Sequence, residues 1–340
     1  MTDYKMFNWK GVGFAGLIAA AIAALPVAAQ DDLPALKMRV TNSYPADMPV
    51  GRAMDLFAKR AGELSGGKIA VQVYHSGKLY TEDKSIQAVL DGTADMGMAS
   101  MANHGPFTKV WQVLETPYLL DKNQLRKLVI DGDIGKELKA AAEKDGLRPM
   151  MIFETGGHRV VGGQKPIRTP DDVKQLKIRV PQSPVLLAFY RAAGANPTVV
   201  PWGETYLALA NKTVDGVDAN LASWPLGKLW EVTKNVSTIF WSPTATLTDV
   251  SVKWWNARTP KQRAILDQAA REAEVFSMKA EDDNEKVLRE QLTKNGITLY
   301  DPTPTELEGW RKVGMSIWPS MPGVDQAQLQ RIGKAAQGVK

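Results

Sequence analysis

Two apolar rhythms take turns along this chain from Leu36 onward, and their alternation commits it to an α/β fold. Leu36, Met38 and Val40 alternate as a strand, and Met54, Phe57, Ala61 and Leu64 then fall on one helical stripe that Gly66-Gly67 ends. Ile69, Val71 and Val73 repeat the strand period. Thr81 caps a helix carrying Ile86, Val89 and Leu90 up to Gly92, and Met96 and Met98 predict a third strand. A helical stretch over about 123–145 leads to a strand over 148–153. There the character changes: Thr155-Gly156-Gly157-His158-Arg159, closed by Gly162-Gly163, predicts a flexible polar crossing between domains.

Beyond it, Thr169-Pro170-Asp171-Asp172 has the composition of a helix start, and Ser183-Pro184 opens a helix that runs to Gly194. Strands are predicted over 198–200 and 214–220, with a helix over 204–211 between them. Thr259-Pro260-Lys261-Gln262 joins a capping box to a first-turn proline. The helical pattern after it meets no breaker before Asn295-Gly296; a continuous helix of that length is on the order of 50 Å long, enough to run along two domains.

Composition removes several function classes. There are no cysteines, so neither a disulfide framework nor thiolate chemistry is available. The 3 histidines, His75, His104 and His158, lack metal-ligand spacing, and no nucleophile elbow or phosphate-cradling glycine loop occurs. No metal or cofactor is expected. The net charge of +5 is spread without a basic run or an aromatic-interleaved stripe, which argues against nucleic acid. Residues 1–29 have the form of an export leader: Lys5 and Lys10 precede an apolar run from Gly11 to Leu25, and Val27-Ala28-Ala29 offers a small-residue cleavage site. The run is shorter than the roughly 20 apolar residues a membrane span needs. The mature chain is expected in a bacterial periplasm, as a monomer.

Arg179 is the leading candidate for chemistry. Ile178 and Val180 share one strand face, so Arg179 points to the other, and Pro181 places it at the strand's carboxyl end, where open α/β sheets bind ligands. Its planar fork suits a carboxylate; a structural ion pair with an Asp or Glu is the competing reading.

Several segments, in this order and spacing, resemble the DctP-type solute-binding proteins of tripartite ATP-independent periplasmic (TRAP) transporters. They are Val89-Leu90-Asp91-Gly92-Thr93-Ala94-Asp95-Met96, Ile167-Arg168-Thr169-Pro170-Asp171-Asp172, Lys177-Ile178-Arg179-Val180-Pro181, Asn196-Pro197-Thr198 with Pro201-Trp202-Gly203-Glu204-Thr205-Tyr206, and Val214-Asp215-Gly216. The resemblance covers roughly 36–335. It implies a two-domain clamshell with crossing strands and a long helix spanning both domains. Domain I is expected over 30–156 plus about 245–284, and domain II over 157–244 plus about 285–340.

The resemblance also implies capture of an organic acid in the cleft and delivery to membrane permease subunits. Arg179 falls on the family's carboxylate-binding arginine, Arg159 on a second arginine that often faces the cleft, and Trp202 on an aromatic position that packs against ligand. Many relatives place an Asn where Ala219 stands here. Asn220 comes one residue late, on the opposite strand face unless a bulge intervenes. Ser100 and Asn103, after the third strand, are candidate polar contacts from the first domain.

Among acids a C4-dicarboxylate is favoured over a sugar acid or an aromatic or hydroxy acid. Two other readings stand beside this one. A binding protein of an ABC-type importer would share fold and ligand, and a secreted enzyme acting on organic acids would need Glu154 or Asp218 as a base near Arg179.

Overall fold

The computed structural model describes residues 33–282 and 284–339; the leader read over 1–29 lies outside them. Eleven strands are present among the described residues: β1 (Leu36–Thr41), β2 (Ile69–Tyr74), β3 (Gly97–Ser100), β4 (Leu147–His158), β5 (Val160–Gly163), β6 (Lys177–Val180), β7 (Asn196–Val199), β8 (Gly216–Ala219), β9 (Asn235–Ser237), β10 (Pro243–Ser251) and β11 (Thr298–Tyr300). β1 and β2 pair in parallel, β3, β10 and β4 form a second sheet, and a third runs β11-β9-β5-β8-β6-β7. The long antiparallel pair β4 and β10 carries the chain across the molecule. β4 passes through Arg159 into β5, while β9 returns through Trp241 and Ser242 into β10. The result is a two-domain α/β clamshell with crossing strands.

Each lobe closes its own core. In the first, Met38, Val40, Met98, Met151 and Phe153 from the strands meet Phe57 and Ala61 of the helix Pro49–Leu64 and Leu266, Ala269 and Ala273 of the helix Pro260–Asp282. Burying each large side chain of this set contributes roughly 1.5–3 kcal/mol. In the second, Ile178 and Val180 of β6 pack on Phe189, Tyr190, Trp241 and Trp310, and Val217 and Val236 pack on Trp224. The helical run after Thr259 serves both lobes. Its first part contributes to the core around β1, and the helix Asn284–Lys294, after residue 283, sends Leu288 and Leu292 to the core around Trp224. The expected cap holds: Thr259 and Gln262 exchange side chain-to-backbone hydrogen bonds.

Three local expectations differ from the structure. The stretch over 123–145 is broken at Asp131-Gly132, where a Cβ on Gly132 would sit 2.4 Å from the Leu128 carbonyl oxygen; only Asp133–Lys144 is a regular α-helix of length. Thr169-Pro170 starts a single 3₁₀ turn, Pro170–Val173. The crossing read as flexible is strand: β4 runs to His158, and Gly162-Gly163 lie inside the six-stranded sheet, paired with β8 and β9. Gly162 is there for packing, because a Cβ would fall 2.2 Å from Cζ2 of the buried Trp224 indole. Trp224 is held in turn by its Nε1–H, which donates to Thr233 Oγ1 at 2.9 Å. Gly162→Ala is therefore expected to destabilise the fold by about 1–3 kcal/mol through overpacking. Chemical denaturation checks this, and an unchanged midpoint would contradict the packing role.

Candidate functional site

The carboxyl end of β6 delivers Arg179 into a cavity lined by residues of the three-stranded and the six-stranded sheets. Because Ile178 and Val180 are turned into the core, the guanidinium faces the opposite side, and Pro181 ends the strand beside it. Arg179 is 4% exposed. Its Nε–H donates to the Val200 carbonyl at 2.9 Å and its Nη1–H to the Asp218 carbonyl at 3.4 Å, and its guanidinium carbon lies 5.5 Å from the Trp202 ring centroid. Among the described residues no carboxylate stands within ion-pair distance of it. Burial pulls its pKa down to about 10, partly offset by Glu82 and Asp218. At neutral pH it remains a cation, and a buried cation without a contacting anion is costly by several kcal/mol.

Arg159 is the opposite case. It bridges β4 and β5, donates its backbone N–H to the Ser242 carbonyl at 2.8 Å, and is 7% exposed. Its guanidinium bonds the Asp218 carboxylate through Nη1, stands 3.5 Å from Glu115 Oε1 through Nη2, and lies over the Trp241 ring. Asp218 Oδ2 accepts further bonds from the Tyr190 hydroxyl (2.8 Å) and Trp241 Nε1–H (3.2 Å), and Glu115 Oε2 accepts from Ser183 Oγ–H (2.8 Å). Burial pushes both carboxyls up, and Arg159 pulls them back.

Across the cavity, Glu82 organises the other wall. Its Oε1 accepts from the Ser100 backbone N–H and from Asn103 Nδ2–H, both at 2.8 Å. Tyr44 reaches Thr246 Oγ1 with its hydroxyl, 3.1 Å away. His104, wholly buried, meets two acceptors, the Ser100 carbonyl and Asp249 Oδ2, each at 2.8 Å, which requires the imidazolium form. That ion pair pins the turn Met101–His104 to β10.

All six site residues predicted from sequence, Arg179, Arg159, Trp202, Asn220, Ser100 and Asn103, line this one cavity. The space that the centre of a water molecule can reach within it is about 80 Å³. That is several times the ~10–15 Å³ that houses a single water, so it is sized for a compact solute. β8 ends at Ala219, so Asn220 lies beyond the strand, with no bulge, and both residues line the cavity. The Asn220 amide is already engaged: Nδ2–H donates to the Thr155 carbonyl (2.8 Å) and Oδ1 accepts from Ser223 (N–H 3.0 Å, Oγ–H 2.9 Å).

Sequence reasoning missed Glu82, Tyr44 and Glu115. Only the acid in the first turn of the helix Glu82–Leu90 hinted at one of them, and a first-turn acid ordinarily signals a helix start. Glu154 does not line the cavity; Lys122 and Arg126 hold it. Among the described residues no His, Cys, Asp and Glu cluster could hold a metal, and no helix is long and apolar enough to cross a membrane.

Residues 41–322 match the family model of DctP, the bacterial extracellular solute-binding proteins of family 7, and the chain belongs to that family of TRAP-transporter binding proteins, which are not enzymes. It is 29% identical over 267 residues (78% of this chain, 76% of the relative) to the C4-dicarboxylate-binding protein DctB of Bacillus subtilis. Two solved structures each cover 91% of this chain and match over their full length. One is a TRAP periplasmic solute-binding protein from Sulfurospirillum deleyianum with bound succinate (27% identity, TM-score 0.82). The other is the sugar acid binding protein DctPAm of Advenella mimigardefordensis in complex with galactonate (25% identity, TM-score 0.86).

Two measurements follow from the Arg159 cluster. Asp218→Ala leaves the buried Arg159 guanidinium with Glu115 alone, at 3.5 Å, and is expected to destabilise the protein by about 3 kcal/mol in urea unfolding; wild-type stability would contradict the pairing. Burial also raises the Glu115 pKa above its unfolded value, so the folded chain holds that proton where the unfolded chain has released it. Stability then falls as pH rises from the ordinary glutamate range through the raised folded pKa. Glu115→Gln should flatten that slope, and an unchanged slope would remove Glu115 from the titration.

Proposed function

We propose that this chain captures a hydroxylated monocarboxylate in the cleft and delivers it to the permease subunits of a TRAP transporter. The single observation behind this reading is Arg179: a buried, charged fork whose hydrogen bonds go to backbone carbonyls and which lacks a contacting anion. A ligand carboxylate supplies the missing charge through two parallel N–H···O bonds, strengthened by the dry surroundings. Trp202 forms the wall beside that carboxylate, and Ser100 and Asn103 approach from the other lobe. Contacts from both lobes favour the closed form, which the permease then recognises. In this reading residues 1–29 are the leader that exports the chain to the periplasm, where it works as a monomer.

The choice of a monocarboxylate rests on charge. A dicarboxylate needs a second cation, yet Arg159 already answers to Asp218 and Glu115. The far wall instead carries the Glu82 carboxylate, which repels a second carboxylate and accepts hydrogen bonds from hydroxyls. The hydroxyls of Tyr44, Ser223 and Thr246 line the same space. The galactonate complex supports an acid of this kind; DctB and the succinate complex support the C4-dicarboxylate reading. Asn220, occupied by Thr155 and Ser223, knits the crossing and shapes the floor.

A thermal-shift screen separates these readings. A bound acid at 100 times its dissociation constant adds roughly 2.7 kcal/mol of stability. Hydroxy monocarboxylates should shift the melting temperature and succinate should not; the reverse order would favour the dicarboxylate. Arg179→Ala should abolish every shift while leaving the protein folded, and full affinity in that variant would remove Arg179 from the site. Glu82→Gln, which keeps an acceptor oxygen for Ser100, should admit succinate and weaken hydroxy acids.

A further inference from the structure

Behind Trp202 lies a second, larger space. It is a recess lined among others by Tyr206, Gly227, Lys228 and Glu231, and the centre of a water molecule can reach about 490 Å³ of it, against about 80 Å³ in the inner cavity. Two residues, Trp202 and Leu226, line both spaces, so the half-buried indole is the main partition between them. The indole lies under the Arg179 guanidinium on the inner side, its ring centroid 5.5 Å from the guanidinium carbon. The edge of its six-membered ring meets Gly227, which lines the outer recess and not the inner cavity. A Cβ at Gly227 would stand 2.9 Å from Trp202 Cζ2 and 3.2 Å from Cη2. Gly227 has no left-handed backbone angle, so a methyl there acts chiefly through the indole, with Leu229 Cδ2 at 3.3 Å as its next neighbour, and not through backbone strain.

We infer that this recess is an annex of the binding cleft for the distal part of longer hydroxylated acids, with Trp202 as a movable partition whose position Gly227 sets. The inference rests on the hydroxy-acid reading above. The chemistry of the recess fits a polyol tail. Leu226 gives it an apolar side, Tyr206 donates its hydroxyl to Glu231 Oε2 at 2.7 Å, and the exposed Lys228 lines it as well, so ligand hydroxyls find both acceptors and donors. The inner cavity holds the carboxylate and the carbons next to it. A longer acid reaches the recess past an aromatic ring that touches a guanidinium on one side and a glycine on the other. Trp202, Leu226 and Gly227 together are thus the length filter of the site.

Isothermal titration with glycerate, erythronate and gluconate, a series of increasing length with a hydroxyl on every carbon outside the carboxylate, tests this on wild type, Gly227→Ala, Trp202→Phe and Trp202→Ala. Gly227→Ala presses the indole inward and should weaken gluconate about tenfold more than glycerate. Trp202→Ala joins the two spaces and should move the gluconate-to-glycerate ratio about tenfold the other way, with Trp202→Phe between. Trp202→Phe and Gly227→Ala keep the test decisive if Trp202→Ala folds poorly. Wild-type ratios in both of them overturn the annex while leaving the hydroxy-acid reading in place. Wild-type protein that binds none of the three acids overturns that reading and the annex with it.

Discussion

A guanidinium held almost out of water, with backbone carbonyls as its partners, is the constraint on which the rest of this structure depends. Asp218 shows how the fold maintains it. The carboxylate of Asp218 is committed to Arg159, Tyr190 and Trp241, while its backbone carbonyl faces Arg179. One residue therefore serves both arginines, and the negative charge goes to only one of them. Glu115 reinforces the division from a distant part of the chain, and Ser183 fixes it in place. Arg159 is a satisfied structural cation and Arg179 is a poised one. The difference lies in their partners, since both are buried to a similar degree.

Holding that arrangement requires two lobes that cannot drift freely. β4 and β10 cross together as a long antiparallel pair with two register shifts, and Asn220 and Thr244 both donate to the Thr155 carbonyl where the crossing meets the cavity. The helical run after Thr259 reinforces this by contributing to a core in each lobe. On the far wall, the His104–Asp249 ion pair ties the turn bearing Asn103 to β10, so donors from the first lobe are registered against the same strand that crosses. The cavity is thus lined from the ends of strands and helices and from the short turns beside them.

Much of this was legible in the chain. The change between period two and period 3.6 located β1, β2, β6 and the helices Pro49–Leu64 and Pro184–Ala192, because their apolar side chains recur at the spacing of the element itself. Arg179 was legible because Ile178, Val180 and Pro181 fix its direction within three residues. What escaped depended on partners far away. Nothing near Glu115 foretells that it meets Arg159, 44 positions on, and nothing near Glu82 foretells Asn103. The glycines misled for a related reason: at Gly162 the local signal is flexibility, and the reason for glycine is an indole 62 positions later. The stretch over 123–145 failed as one helix because the chain turns at Asp131-Gly132, so close to the Leu128 carbonyl that a Cβ would not fit, a contact that periodicity does not register.

The most direct test is the identity of the molecule the protein carries when purified without added ligand. Denaturing the protein and analysing the released small molecules by mass spectrometry should yield a monocarboxylic acid bearing hydroxyl groups, near one equivalent per chain. Release of a dicarboxylate, or of a compound with no carboxylate at all, would contradict the account of a single uncommitted guanidinium facing Glu82.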